Sequence, residues 1–305
     1  MKKIVIIGGG ISGLSLLHFL HKKFTGQTGV DIRLLEKEDK NGGTVGTQNL
    51  DGNLFETGPN GFLDNQPAVL EMVRDLGLDD QLICAREGSK IRYLRLGDRL
   101  HTFPAGPLGL FSFSPRILAE LFIPKRGTPG ESVHDFTCRR FGRKAADLLF
   151  DCVVSGIYGG NSRQLNMREA FPAIADMEKK YGSVIKGLIA VKGKNKSRLM
   201  SFKKGMGQMI DALTRRYASS IRLSQEVKDL RDVKADMIFL CVPAYAAANM
   251  LQNTAPALTG YLRNIHYAPM AVAGLVYRKV DFKMLPRGFG YLIPSSEGKA
   301  VLGLL

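Results

Sequence analysis

Three glycines, Gly8-x-Gly10-x-x-Gly13, stand between a β-branched run, Ile4 to Ile7, and an apolar helical pattern through Leu14, Leu17 and Leu20. In a strand–turn–helix of this kind the first glycine permits the tight turn, the second lets backbone approach a pyrophosphate, and the third lets helix pack on strand. Ile11, Ser12 and Gly13 open the helix, so their unpaired N–H groups and the positive end of the helix dipole favour phosphate there. Glu36, roughly 20 residues past the last glycine, ends a second strand, Val30 to Leu35, where an acid can accept a hydrogen bond from a free ribose 2′-hydroxyl. Together these residues predict a dinucleotide site.

Other reactive constellations are missing. The five histidines are scattered without metal-ligand spacing, and no Ser/His/Asp or Cys/His grouping carries local signature residues, so no metal and no protein nucleophile are expected. Cys84, Cys138, Cys152 and Cys241 form no C-x-x-C pair and mostly adjoin apolar residues, which predicts reduced, mostly buried thiols in a cytosolic protein. The chemistry then belongs to a bound cofactor.

The elements that must hold such a cofactor are legible by pattern. A helix is expected from about Pro67 to Leu76, stopped at Gly77, and a strand from Ile91 to Leu96. A Gly205-x-Gly207 turn leads into a helix from Gln208 to Tyr217; two strands follow, Ile221 to Leu223 with Val227, and Met237 to Val242 before Pro243. The dense apolar stripe from Leu108 to Ile123, followed by Lys125 and Arg126, fits either a buried core helix or a segment facing a membrane surface. Lys192 to Arg198 reads as a basic surface loop.

Composition bounds the rest. A chain of 305 residues, 45% of them hydrophobic, can bury a core and divide into about two domains. Its formal charge of +15 favours anionic partners, but the basic residues are spread along the chain without a nucleic-acid-binding signature, so no nucleic acid partner is expected. No stretch approaches the roughly 20 apolar residues that span a bilayer, and the run after Met1-Lys2-Lys3 breaks at Gly8 into a loop, so it is no signal peptide and any membrane attachment is expected to be peripheral.

Two further segments, Gly42-Gly43-Thr44-Val45-Gly46-Thr47 and Phe55-Glu56-Thr57-Gly58-Pro59-Asn60-Gly61, resemble the flavin amine oxidase and protoporphyrinogen oxidase superfamily. The resemblance implies FAD, with Gly42, Gly43 and Thr44 against its phosphates, Lys37 beside Glu36, Gly58, Pro59, Asn60 and Gly61 beside the isoalloxazine, and Val227 making backbone contact to the nucleotide. Many members carry a basic or amide side chain where Gly46 stands.

The stretch from Val154 to Pro172, with Gly156-Ile157-Tyr158-Gly159-Gly160-Asn161-Ser162-Arg163-Gln164-Leu165-Asn166-Met167-Arg168 at its heart, resembles the porphyrinogen-oxidising branch in particular, as do Arg92 to Arg95 and Gly288 to Glu297. What this implies is an α/β protein: a Rossmann-like FAD-binding domain (residues 1–85 and 199–245), an inserted helical membrane-associated domain (86–198), and a mixed-sheet substrate domain (246–305). In that branch the counterpart of Arg92 approaches a propionate of the tetrapyrrole, that of Gly156 lies at the substrate ring, and those of Leu292 and Leu305 are apolar walls.

The implied activity is oxidation of protoporphyrinogen IX by FAD and dioxygen in haem synthesis, on the inner, cytoplasmic face of an anionic membrane. Coproporphyrinogen III is the alternative substrate, and a homodimer or a downstream haem-pathway enzyme the further partner. Family members continue past the counterpart of Leu305, so the chain is expected to be the amino-terminal two-thirds of such an oxidase; an inactive flavin- or tetrapyrrole-binding remnant is the rival reading.

Overall fold

A computed structural model describes residues 1–103, 115–125, 127–191, 197–281 and 287–305. They form two compact units, one made of residues 1–85 and 197–267, the other of 86–196 and 268–305. Leu108 to Ser114 of the apolar stripe, Arg126, and Lys192 to Lys196 of the basic run lie outside the described residues.

In the first unit, β1 (Lys2–Ile7) leads through the glycine turn to α1 (Ile11–Lys23) and β2 (Val30–Leu35). A hairpin of β3 (Thr47–Leu50) and β4 (Asn53–Glu56) follows, then β5 (Phe62–Leu63), α2 (Pro67–Asp75) and β6 (Leu82–Cys84). The chain then builds the second unit: β7 (Arg92–Leu96), β8 (Arg99–Thr102), and helices α3 (Val133–Phe141), α4 (Asp151–Tyr158), α5 (Pro172–Tyr181) and α6 (Val184–Val191). It returns to the first unit with β9 (Leu199–Phe202), α7 (Gly207–Arg216), β10 (Ile221–Arg222), β11 (Met237–Leu240), α8 (Ala244–Leu251) and α9 (Pro256–Arg263). The strands β12 (Gly290–Leu292) and β13 (Gly303–Leu304) belong to the second unit.

The first unit rests on a parallel sheet in the order β10-β2-β1-β11. Ile4 and Ile6 on β1, Ile32 and Leu34 on β2, Leu14 and Leu17 on α1, and Met209, Ile210 and Leu213 on α7 share one buried cluster. Helix period 3.6 and strand period 2 thus bring their apolar faces together. A side-chain network reinforces this packing: the buried His18 of α1 lies 2.9 Å from the Tyr217 hydroxyl through Nδ1 and 3.1 Å from Asp75 Oδ2 through Nε2. Where the chain leaves and re-enters, β9 pairs antiparallel between β5 and β6, and Arg198 Nε donates to Asp64 Oδ2 at 2.7 Å.

Three expectations differ from the structure. Val227 lies in irregular chain, because β10 ends at Arg222 and the following backbone turns to bond Glu36 and Glu38 instead of a strand neighbour. The helix pair α8 and α9 groups with the first unit, so the unit boundary in this region falls at Tyr267 and not at 245; Ala247 and Ala248 are its buried residues on α8, too small to announce a partner by sequence pattern. All four cysteines are free, but burial is not the rule: Cys152 is buried, Cys138 and Cys241 are half-buried and Cys84 is exposed.

The second unit carries a mixed sheet in the order β13-β12-β7-β8, with β12 parallel to β7 and the other pairs antiparallel. Its helical part is held by Arg140, fully buried on α3. Arg140 Nη1 donates to the Ile123 carbonyl at 2.9 Å and lies 3.2 Å from Glu120 Oε1; Nε donates to Glu178 Oε1 at 2.9 Å, and Nη2 to Gly182 O at 3.0 Å. One cation thus ties the 3₁₀ segment Pro115–Phe122 to α3 and to the end of α5.

Removing one partner from a buried ion network leaves the others charged and unpaired, at a cost of about 3–5 kcal/mol. Arg140→Ala is therefore expected to lower the chemical-denaturation midpoint of the second unit sharply, whereas Lys125→Ala on the same surface leaves it within experimental error. Acid should act in the same direction. Burial favours protonation of Glu178, but hydrogen bonds from Arg139 and then Arg140 outweigh it and hold the carboxyl below its ordinary 4.5, so its contribution is full above that pH and fades as pH falls through the lowered value.

Candidate functional site

The glycine turn is shaped by what its missing side chains allow. A Cβ on Gly13 would lie 1.9 Å from the carbonyl oxygen of Gly8, and one on Gly8, at φ +108°, would lie 2.4 Å from the Cys241 carbonyl oxygen. Both positions therefore require glycine. Gly10 differs, because a Cβ there would meet nothing within 4 Å. It precedes α1, whose first turn, Ile11, Ser12 and Gly13, has no side-chain cap. The turn is thus closed by close backbone contact on its inner side and open at Gly10, the one position whose backbone a phosphate must approach.

Glu36, 8% exposed at the end of β2, accepts from Gly9 N through Oε2 at 2.5 Å and from Glu38 N through Oε1 at 2.9 Å. Its carboxylate is held beside the turn with lone pairs to spare, as a ribose acceptor must be. Lys37, next in sequence, points to solvent and pairs with Glu38 at 3.1 Å. Backbone past β10 closes on the same place, Gln225 N donating to Glu36 O and Ser224 N to Glu38 O, both at 2.8 Å. Val227, two residues further, is half-buried.

The double glycine lies against this turn. Gly42 N donates to Gly9 O at 2.9 Å, and a Cβ on Gly43 would stand 3.4 Å from the Cα of Gly10. Thr44 and Gly58 are backed together so closely that a Cβ on Gly58 would lie 2.0 Å from Thr44 O. Gly61 approaches β9 in the same way, 2.4 Å separating the position of its absent Cβ from Met200 O, while Pro59 and Asn60 between them are exposed. The structure therefore brings the segments Gly8–Gly13, Glu36, Gly42–Thr44 and Gly58–Gly61 into one continuous region of the first unit.

Three residues of this region escaped the sequence reading. Glu56 Oε1 accepts from Met206 N at 2.9 Å, while its Oε2 accepts from the Thr47 hydroxyl at 2.7 Å; Thr47 Oγ1 in turn accepts from Gly207 N at 2.9 Å. This clamp fixes the Gly205-x-Gly207 turn to the β3–β4 hairpin, and the E-x-G-P pattern was its only local signal. Asn41 is the third. Its Oδ1 is buried beside Gly9 without a hydrogen-bond partner among the described residues, which a hydroxyl-bearing ligand would satisfy. An uncapped helix start, an open Gly10, a held carboxylate and an orphaned acceptor fit the phosphate and ribose of a flavin dinucleotide.

The predicted substrate residues meet elsewhere, in the second unit. In the parallel register of β7 and β12, Arg92 stands opposite Gly290 and Leu94 opposite Leu292, so these four share one face. Across β12, Leu304 pairs with Tyr291, which brings Leu305 to Gly290: the Cα of Leu305 lies 2.9 Å from the position of an absent Cβ on Gly290. Arg92, Gly290 and Leu305 form one row, and Leu94, Leu292 and Gly303 the next. On α4, Gly156 packs flush on this face, with Leu292 Cδ1 3.1 Å from where its Cβ would be. Arg92 is exposed, its guanidinium 5.5 Å from the Phe289 ring centroid, and Leu305 is 69% exposed. The result is an apolar face that is buried at Leu94 and open at Leu305, with a cation at its edge.

Three of the four thiols are held protonated by their surroundings. Burial, with Asp151 nearby, pushes the Cys152 thiol up to about 12, and burial likewise raises Cys138 and Cys241, so these three stay protonated at neutral pH.

The sequence profile described as "Flavin containing amine oxidoreductase" matches residues 26–304. The chain belongs to this family. It is accordingly an FAD-dependent oxidoreductase. Among curated relatives of this oxidoreductase, the protoporphyrinogen oxidase of Bos taurus is 30% identical over all of the chain and 72% of the relative's length. The coproporphyrinogen III oxidase of Bacillus subtilis is 26% identical over 98% of the chain and 72% of its own length. Among solved structures, one described as a putative protoporphyrinogen oxidase from Exiguobacterium superposes with a TM-score of 0.74 at 19% identity, over 99% of the oxidoreductase chain and 72% of the neighbour. That likeness shows a shared mixed α/β fold.

Two glycine substitutions separate cofactor contact from folding. Gly13→Ala forces a Cβ into the Gly8 carbonyl and is expected to destabilise the first unit together with flavin binding. Gly10→Ala has room in the protein, so its thermal midpoint should stay within about 2 °C of the parent, a shift worth about 1 kcal/mol at most, while flavin absorbance per mole of protein falls at least about tenfold.

Proposed function

We propose that this oxidoreductase converts protoporphyrinogen IX to protoporphyrin IX, with dioxygen as the final acceptor. When bound, FAD supplies hydride acceptance from a meso carbon of the porphyrinogen, three rounds with dioxygen removing six electrons and releasing three molecules of hydrogen peroxide. In this reading the first unit holds the cofactor and the second the tetrapyrrole.

The carrying observation is the sheet face on which Arg92, Gly290, Leu292 and Leu305 gather against Gly156. A largely apolar macrocycle with acidic arms matches such a face. Gly156 is exposed and carries no side chain to hold it off, Leu292 and Leu305 offer apolar contact, and the Arg92 guanidinium suits a propionate at the rim. No protein acid or base is needed for the hydride step, so these residues bind and orient.

The match to a coproporphyrinogen III oxidase keeps one alternative, the same chemistry on a porphyrinogen with more carboxylates. Purified chain supplied with FAD is expected to turn protoporphyrinogen IX fluorescent with hydrogen peroxide formed in step, and to do so faster than with coproporphyrinogen III. The reverse order would transfer the assignment to the second substrate, and no turnover of either would refute porphyrinogen oxidation. Arg92→Leu should lower kcat/KM about 10- to 100-fold, the worth of a charge-assisted hydrogen bond, with Arg92→Lys in between.

Membrane attachment through the helical part of the second unit belongs to the same reading. It is supported by Phe122, 86% exposed, and Ile189, 60% exposed, near the basic Lys125 and Lys186, and by the net charge of +15. None of the described helices is long and apolar enough to cross a bilayer. A peripheral association at the inner face of the membrane, with or without a second copy or a downstream haem-pathway enzyme, predicts that the chain pellets with anionic vesicles at low salt, and that Phe122→Ser or 0.5 M salt releases it.

A further inference from the structure

We infer that Asp151 is the positioning residue of the tetrapyrrole face, holding the helix that carries Gly156, the loop after it, and the strand that carries Leu292 in fixed relation. The inference rests on the reading of this face as the porphyrinogen surface. Asp151 is 8% exposed at the first position of α4, directly after the single π turn Ala146–Phe150. Its carboxylate reaches two separate parts of the chain. Oδ1 accepts from the hydroxyl of Ser162, itself 2% exposed, at 3.2 Å, and Oδ2 accepts from the backbone N–H of Ser295 at 2.8 Å.

Both partners lie next to residues of the face. Ser295 follows β12 by three residues, so the bond anchors the exit of the strand that presents Gly290 and Leu292. Ser162 belongs to the loop Gly159–Asn166, and its carbonyl accepts from His134 N at 2.9 Å, which ties that loop to α3. Gly156 sits five residues beyond Asp151 on the same helix, and Leu292 Cδ1 stands only 3.1 Å from where a Cβ on it would be, so the leucine occupies the space the glycine leaves. A face made of one helix glycine and one strand leucine keeps its shape only while helix and strand stay in register, and Asp151 is the polar link that sets it. Leu94, Leu149 and Cys152 beneath supply apolar packing, which is non-directional and does not choose a register.

The chemistry makes a conservative rescue possible. An asparagine can place its oxygen at the Ser295 N–H and its amide N–H₂ at the Ser162 oxygen, with the Ser162 hydroxyl turned to accept. Alanine can do neither, and leaves a buried hydroxyl and a backbone donor unpaired.

The test uses full-length protein with FAD, measuring steady-state kinetics on protoporphyrinogen IX and, separately, binding of the product protoporphyrin IX by fluorescence quenching. Asp151→Ala is expected to raise KM and the product Kd at least about tenfold while kcat changes less than about threefold and the flavin spectrum is unchanged. Asp151→Asn should stay within about twofold of the parent in KM and Kd. Should Asp151→Ala fail to fold, Ser162→Ala removes one of the two links alone and is expected to raise the product Kd about threefold. Unchanged KM and Kd in Asp151→Ala, or in Ser162→Ala where that variant stands in, overturns the inference, as does an asparagine variant as weak as the alanine one. Parent protein that neither binds nor oxidises a porphyrin refutes the functional reading itself, a failure visible in the control before any variant is made.

Discussion

Backbone-to-backbone approach at glycine is the constraint on which the cofactor region depends. Gly8 sits under the Cys241 carbonyl, Gly13 under the Gly8 carbonyl and Gly58 against the Thr44 carbonyl, each so close that the position of an absent Cβ falls 1.9–2.4 Å from an oxygen. Such contacts cannot be eased by a rotamer change, since both partners are main chain. They pull β1, α1, the double glycine and the end of the β3–β4 hairpin into one surface. The same closeness leaves Gly10 open above an uncapped helix start, where negative charge is favoured.

The second unit is organised by directional polar links on an apolar base. Arg140 gathers three segments around one buried cation, and Asp151 gathers three others around one buried carboxylate. Each is costly to bury unless all its partners are present. That makes these links poor sources of net stability and good selectors of a single arrangement.

The division of labour between units follows from their sheets. The parallel sheet of the first unit ends its strands at a glycine turn and a helix start, the usual place for a nucleotide in such folds. The mixed sheet of the second unit instead presents a broad face whose rows run across three strands, with side chains removed at Gly290 and Gly303. A face of that kind offers area and shape, with charge at its rim on Arg92.

The nucleotide turn was legible in the residues alone because the spacing of Gly8, Gly10 and Gly13 and the acid at Glu36 form a short-range pattern, and strand and helix periods identify the elements that hold them. The parallel β2, the helices at Pro67 and Gly207, and the strand at Arg92 were likewise fixed by short-range pattern, within a residue or two at their ends. Only the tertiary structure decided what depends on register between distant segments. It set Glu56 and Thr47 on the Gly205-x-Gly207 turn, Asn41 beside Gly9, α8 and α9 with the first unit, Val227 outside any strand, and Arg92, Gly290 and Leu305 in one row with Asp151 holding the neighbouring helix. Sequence spacing carries no record of a hydrogen bond formed across 144 positions, because the chain between can take any path that brings its ends together.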